Sequence, residues 1–194
     1  AYGSSEARIG ALAAADDHWR IATKVGETFV DGQSQFDFSP AAIRASVEVS
    51  RQRLRRDVLD IVLLHLSGDD EAILRQGAAL AALLELRERG LIGSVGASTK
   101  SVAAGLLAVD QCDLVMITSN ASDQSQRPVL AAARGLGKGI LIKKPFDSGN
   151  EADAGTALAN LVRMPGVTSV VAGTISTAHL SDNCAAVVDA LMER

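Results

Sequence analysis

Six short apolar runs punctuate the chain, and longer stretches with helical spacing lie between them. The runs are Arg20 to Val25 (RIATKV), Asp60 to His65 (DIVLLH), Ile92 to Ser98 (IGSVGAS), Leu114 to Ser119 (LVMITS), Gly139 to Lys144 (GILIKK) and Thr168 to Gly173 (TSVVAG). Their length and near-continuous apolar character predict strands buried on both faces. Helices are predicted at about 4–15, 71–89, 99–109, 123–136 and 151–163. Ser39-Pro40 supplies a cap followed by proline at the first helical position, and Gly90 after LLELRER is a helix stop preceded by basic residues. From Ser176 onward, Leu180, Cys184, Val187, Val188 and Leu191 recur at the spacing that lines one face of a final helix.

Strand and helix in strict alternation imply right-handed crossovers and a parallel sheet with both faces covered. A doubly wound sheet or a (β/α)8 barrel satisfies that pattern. The doubly wound form calls for a glycine-rich phosphate turn after an early strand, and GLGKG at 135–139 fits neither GxGxxG nor GxxxxGK[ST]. The expectation is therefore α/β, a parallel (β/α)8 TIM barrel. With six strands visible and a helix before the first, the chain reads as a single partial barrel domain over 1–194. The first two strands and first helix are expected to be absent from it.

Composition narrows the function. The 194 residues, 47% hydrophobic and 22% charged, can bury one substantial core. Nineteen basic and 23 acidic residues give a net charge of −4. Arg51, Arg53, Arg55 and Arg56 share a helix with Glu48 beside Asp57, which reads as a solvated face and not as the basic stripe nucleic acid requires. Cys112 and Cys184 lie far apart without CxxC or Cys/His clustering, so neither a metal site nor a disulfide framework is expected and a reducing, cytoplasmic location fits. No apolar run reaches the ~18 residues of a membrane span.

In a parallel barrel the C-terminal strand ends open on one face, which holds the active site. Here those ends read Lys24, His65, Ser98-Thr99, Ser119-Asn120, Lys143-Lys144 and Gly173-Thr174, and Tyr2 is the sole tyrosine. A phenol with a pKa near ~10 exchanges protons poorly at neutral pH, and a lysine cation beside it favours the phenolate. Tyrosine, lysine and histidine at one barrel mouth suit acid catalysis on a carbonyl, with the histidine holding its oxygen. The attacking hydride must then come from a nicotinamide or similar cofactor.

These segments resemble the aldo-keto reductase family, NAD(P)-dependent enzymes built on a (β/α)8 barrel. AYGSSE looks like the tail of the family motif Asp-Thr-Ala-x-x-Tyr-Gly-x-Ser-Glu, ATKVG like its lysine strand and DIVLLHLSGDD like its histidine strand. SVGAS resembles the Gly-x-Ser-Asn turn, and VVAGTISTAHLSDN the C-terminal cofactor segment. The resemblance implies that Tyr2 is the general acid, that Lys24 lowers its pKa, and that His65 orients the carbonyl. It further implies that Ser98 and Asn120 hold the nicotinamide carboxamide, and that Pro145 and Phe146 approach the pyrophosphate. Gly173, Thr174 and Ser176 would meet the adenosine phosphate at a helix start, and Asp182 and Asn183 the adenine. The substrate class implied is a small carbonyl compound or alcohol.

The chain also departs from the pattern. The family aspartate five residues before the tyrosine has no counterpart in this sequence, since only Ala1 precedes Tyr2. Met116 and Ser119 stand where the family places glutamine and a stacking tyrosine. His179 stands where many members carry the arginine for the 2′-phosphate, a departure that leaves the choice between NADP and NAD open; the resemblance implies NADP, with NAD as the alternative. Lys143 and Lys144 read either as pyrophosphate contacts or as solvated loop lysines. Two other functions fit the same residues: a barrel aldolase with Lys24 or Lys144 as Schiff-base nucleophile, and a catalytically weak cofactor-binding barrel.

Overall fold

The structure, a computed structural model, describes residues 3–13, 18–66, 68–151 and 153–193. Tyr2 lies outside the described residues. The chain divides into two compact units, Ala1–Ser98 and Thr99–Arg194.

The first unit opens with α1 (Ser5–Ala13), followed by β1 (Ala22–Val25), β2 (Glu27–Val30), β3 (Gln33–Phe36), α2 (Pro40–Leu54), β4 (Leu59–His65), α3 (Asp70–Gln76), α4 (Ala78–Glu88) and β5 (Ile92–Ser98). Strands β1, β4 and β5 lie side by side and parallel. Their core is apolar on both sides: Val62, Leu63 and Leu64 of β4 are fully buried, as are Ile43, Val47 and Leu83 from the helices. Each such side chain contributes roughly 1.5–3 kcal/mol. Helix α2 begins as expected, with Ser39 Oγ accepting from Ala42 N and proline in the first turn.

Two features of this unit differ from the sequence expectation. Glu27 to Phe38, which carried no predicted element, contains the antiparallel hairpin β2–β3. Asp31 and Gly32 form its two-residue turn with φ of 50° and 80°, the paired positive values of a type I′ turn. Second, the helix predicted at 71–89 is two helices. Gly77, at φ 70°, ends α3 by donating its N–H to Ile73 O and begins α4.

The arginine-rich end of α2 is not simply a solvated face. Arg51 Nη1 lies 2.7 Å from Glu48 Oε2 and its Nε donates to Asp57 O at 2.8 Å, while Arg53 Nη1 lies 3.4 Å from Glu6 Oε2. Glu6 also fastens α1: its Oε1 accepts from Thr23 Oγ1 of β1 at 2.6 Å and from Ser50 Oγ of α2 at 2.7 Å. Helix α1 approaches α2 so closely at Gly10 that a Cβ there would lie 2.1 Å from Arg53 O.

The second unit runs α5 (Val102–Gln111), β6 (Leu114–Thr118), α6 (Arg127–Gly135), β7 (Gly139–Lys143), α7 (Ala154–Arg163), β8 (Ser169–Val170) and α8 (Thr177–Met192). Strands β6, β7 and β8 are parallel in that order. Val115, Ile117, Ile140, Ile142 and Val129 are buried among them. The last strand is shorter than its apolar run suggests, and Val171 is 48% exposed. The final helix needs a correction as well. Leu180, Val188 and Leu191, predicted as the packed stripe, are exposed, and so is Cys184. α8 instead buries Asn183 and Ala190, with Arg163 Nε of α7 donating to Ala190 O at 3.1 Å. Helix α7 packs against this side: a Cβ on its Gly155 would sit in ordinary contact, 3.6 Å from the Ala186 methyl.

Glu6→Ala leaves the hydroxyls of Thr23 and Ser50 without their carboxylate, and is expected to cost about 2–3 kcal/mol of unfolding free energy in urea denaturation. Exposed Arg8→Ala is expected to change it by less than ~0.5 kcal/mol.

Candidate active site

Lys24, His65 and Ser98 sit at the C-terminal ends of β1, β4 and β5 because each strand's apolar run stops there. Register then decides which way they face. Lys24 pairs with Leu63, two residues before His65, and His65 pairs with Ser98. Side chains alternate along a strand and neighbouring strands lie about 4.8 Å apart, so all three occupy one face of the β1–β4–β5 ladder. Ser98 is 1% exposed, while Lys24 and His65 are half-buried.

Beyond Lys24 the chain turns at Gly26, whose φ is +96° and whose missing Cβ would lie 2.5 Å from the Phe38 ring. That turn starts the hairpin on Glu27. The Glu27 side chain keeps 9% of its exposure, and its Oε2 lies 2.5 Å from His65 Nδ1. Its Oε1 accepts from Ser34 Oγ, also at 2.5 Å. Neither Glu27 nor Glu6 was identified from the sequence. The Asp31-Gly32 pair between ETFV and QSQF was the available signal for the hairpin that carries Glu27.

In the second unit, Asn120 and Pro145 line one cleft of about 340 Å³ with Ser119, Glu151 and Asp153. Asn120 is 5% exposed and much of its amide is engaged in its own loop: Oδ1 accepts from Ser122 N at 3.0 Å and Asp123 N at 2.7 Å, while Nδ2 donates to Lys144 O at 3.0 Å. Phe146 is half-buried beside Pro145. Lys143 is not a solvated loop lysine, because its Nζ donates to Thr99 O at 2.9 Å. Lys144 is exposed, with φ of 55°.

The segment entering α8 is held by local caps. Thr174 Oγ1 accepts from Ser176 N at 3.1 Å and Ser176 Oγ from His179 N at 3.3 Å. Gly173, Thr174, His179 and Asp182 are exposed and Asn183 is buried. The first turn of α8 therefore presents backbone N–H groups at an accessible helix end, where an anion is favoured. Thr99 Oγ1, immediately after Ser98, is buried with no hydrogen-bonding partner among the described residues. Such an orphan costs about 1–3 kcal/mol, and a carboxamide-bearing ligand could relieve it. Within the second unit, Thr99 and the first turn of α8 offer groups of the kind a nicotinamide dinucleotide's carboxamide and phosphate take up. Among the described residues no group of three His, Cys, Asp or Glu could hold a metal ion, and no helix is long and apolar enough to cross a membrane.

Comparison with known proteins follows the same lines. The profile of the Aldo/keto reductase family matches residues 1–150. A solved structure from Pseudomonas aeruginosa, assigned to the aldo-keto reductases, superposes with a TM-score of 0.92 at 42% identity, over 98% of this chain and 75% of its own. The fold is accordingly that of a (β/α)8 barrel, of which this chain supplies part. Two curated relatives are each 29% identical: a D-threo-aldose 1-dehydrogenase of a Pseudomonas species over 61% of this chain, and an uncharacterised oxidoreductase of Bacillus subtilis over 68%. The matches span 38% and 46% of those relatives' lengths.

The loop holding Asn120 has an acid-sensitive tie. Hydrogen bonds from the Ser125 hydroxyl and then its backbone N–H hold the Asp123 carboxyl below its ordinary 3.8. A depressed folded value means that the stabilisation is complete above pH ~4 and is lost as pH falls through the lower folded value. Carbon-13 titration of the Asp123 carboxyl is expected to give a midpoint below 3.8, moving back up in Ser125→Ala.

Proposed function

The chain belongs to the Aldo/keto reductase family, and from that premise we propose that it interconverts a carbonyl compound and an alcohol. The observation that carries this reading is the register that sets Lys24, His65 and Ser98 on one face at three successive strand ends. A bound nicotinamide cofactor supplies or accepts the hydride. Tyr2 gives its phenolic proton to the oxygen in reduction and takes it back in oxidation. Lys24, as a cation, favours the phenolate and so eases that transfer. His65 holds the substrate oxygen while carbon changes geometry.

By the family resemblance, Ser98 in the first unit and Asn120 in the second are each candidates for the carboxamide of the cofactor, and Pro145 and Phe146 for its pyrophosphate. Gly173, Thr174, Ser176 and His179 would take its adenosine phosphate at the accessible first turn of α8, and Asp182 and Asn183 its adenine. His179 stands in that exposed turn in the place of the family's arginine for a 2′-phosphate, and NADP is proposed with NAD as the alternative. One relative is, by its name, an aldose 1-dehydrogenase. Aldoses therefore join simple aldehydes and ketones as candidate substrates.

The test is cofactor oxidation by the protein with a panel of aldehydes, ketones and aldoses, under both NADPH and NADH. Carbonyl-dependent turnover is expected, with NADPH preferred. Tyr2→Phe and Lys24→Met are each expected to lower kcat by at least ~100-fold while leaving cofactor binding, read by fluorescence quenching, nearly unchanged. Cofactor binding without any carbonyl-dependent turnover would leave a binding protein, and a borohydride-trapped lysine adduct would indicate an aldolase.

A further inference from the structure

The Glu27 carboxylate is more deeply buried than either its exposed hairpin or an ordinary surface glutamate would require. Its side chain retains 9% of its exposure, and Oε2 has essentially no accessible surface. Burying a carboxylate is costly unless protons are directed at it. One oxygen receives the Ser34 hydroxyl. The other lies 2.5 Å from His65 Nδ1, which is likewise fully covered although the ring as a whole keeps 26% of its exposure.

That separation constrains protonation. The pair lies off the line of a normal hydrogen bond, and neither atom completes one among the described residues; a carboxylate oxygen only 2.5 Å away nevertheless repels a lone pair on Nδ1 and favours a hydrogen there. Carboxylic acids are far stronger acids than imidazolium, so the proton belongs to the ring and Nδ1 is the protonated nitrogen. The other nitrogen, Nε2, is then the one that would face a ligand oxygen. In the neutral ring Nε2 accepts a hydrogen bond, as from an alcohol hydroxyl. In the imidazolium, which an adjacent carboxylate favours, it donates, as to a carbonyl oxygen.

We propose that Glu27 is a positioning residue: carried to the end of β1 by the Gly26 turn and held by Ser34, it fixes His65 with Nδ1 protonated and turns Nε2 toward the substrate oxygen. This inference rests on the proposed role of His65 in carbonyl chemistry, but its structural half does not. Glu27 neither touches the reacting atoms nor transfers a proton to them. Its effect passes entirely through the orientation and tautomer of the imidazole, as for the outer carboxylates that orient histidines in other sites.

The tautomer can be read without any activity. In the full chain labelled with ¹⁵N-histidine, long-range ¹⁵N–¹H spectra report which ring nitrogen carries hydrogen, and His65→Asn assigns the His65 signals against those of His18 and His179. The wild-type protein is expected to show a protonated Nδ1, and Glu27→Ala to shift the neutral ring toward the Nε2–H form. Glu27→Asp is expected to restore part of the wild-type pattern. A wild-type His65 in the Nε2–H form overturns the inference even if the variants do not fold, and so does a spectrum unchanged in a folded Glu27→Ala.

Kinetics then test the consequence. With the carbonyl substrate that the wild-type protein turns over, Glu27→Ala is expected to lower kcat on the order of 10- to 100-fold, with cofactor affinity unchanged and partial rescue in Glu27→Asp. An unaltered kcat overturns the positioning role. Absence of carbonyl turnover in the wild type would instead count against the proposed function, and the spectra would still decide the Nδ1 assignment.

Discussion

Everything in the first unit depends on the register of β1, β4 and β5. A slip of one residue would turn Lys24 or His65 to the opposite face and separate them. Two features of the ladder resist that slip. Asp60 clamps the start of β1, accepting from Ile21 N at 3.0 Å and from Arg20 Nη1 at 3.1 Å, while Ile61 N donates back to Ile21 O. Apolar residues buried on both sides of β4 make any other pairing expose hydrocarbon. A polar residue at the end of such a strand is thus fixed by its neighbours' hydrophobicity more than by its own contacts.

Two carboxylates extend that frame beyond the ladder. Glu6 draws hydroxyls from β1 and α2 onto one oxygen and so ties the helix after Tyr2 to the residue before Lys24. Glu27 does the equivalent on the other side of Lys24, joining the hairpin to the end of β4. Glu6 is met mainly by short hydrogen-bond donors, and Glu27 by the Ser34 hydroxyl beside its ion pair with His65, so neither depends on an exposed ion pair alone, whose worth is typically below ~1 kcal/mol. The segments flanking Lys24 are consequently anchored through directional contacts, which constrain orientation as well as distance.

The strands were legible because burial on both faces leaves an unbroken apolar run, and Lys24, His65 and Ser98 because a polar residue closing such a run stands out. The hairpin was missed although Asp31-Gly32 announced it: Phe29 and Val30 are exposed, so β2 shows no buried pattern. Gly77 split a helix whose apolar spacing runs on through it. In α8 the largest apolar residues mark one face by their spacing, whereas the helix buries Asn183 and Ala190 on another. Glu27 could not be read at all, because its contact with His65 arises from the fold of a loop and leaves no spacing in the sequence. Tyr2 lies outside the described residues, so its part in the site rests on the sequence alone.

The two units carry their polar chemistry differently. In the first, side chains are held at strand ends with atoms directed into a common face. In the second, several candidate side chains are already committed to the fold: Asn120 braces its loop, Lys143 ties β7 to Thr99, and Ser176 caps α8. The cleft beside Asn120 also carries the carboxylates of Glu151 and Asp153, which oppose an anion there. Asp153 is partly occupied, since it accepts from Thr156 N as the cap of α7 and is held below its ordinary carboxyl range by that bond. Electrostatics within the second unit therefore favour an anion at the first turn of α8 over the cleft, and favour recognition by backbone N–H groups over recognition by lysines. Such a site would discriminate among phosphates by geometry more than by charge, with His179 the histidine standing in that turn.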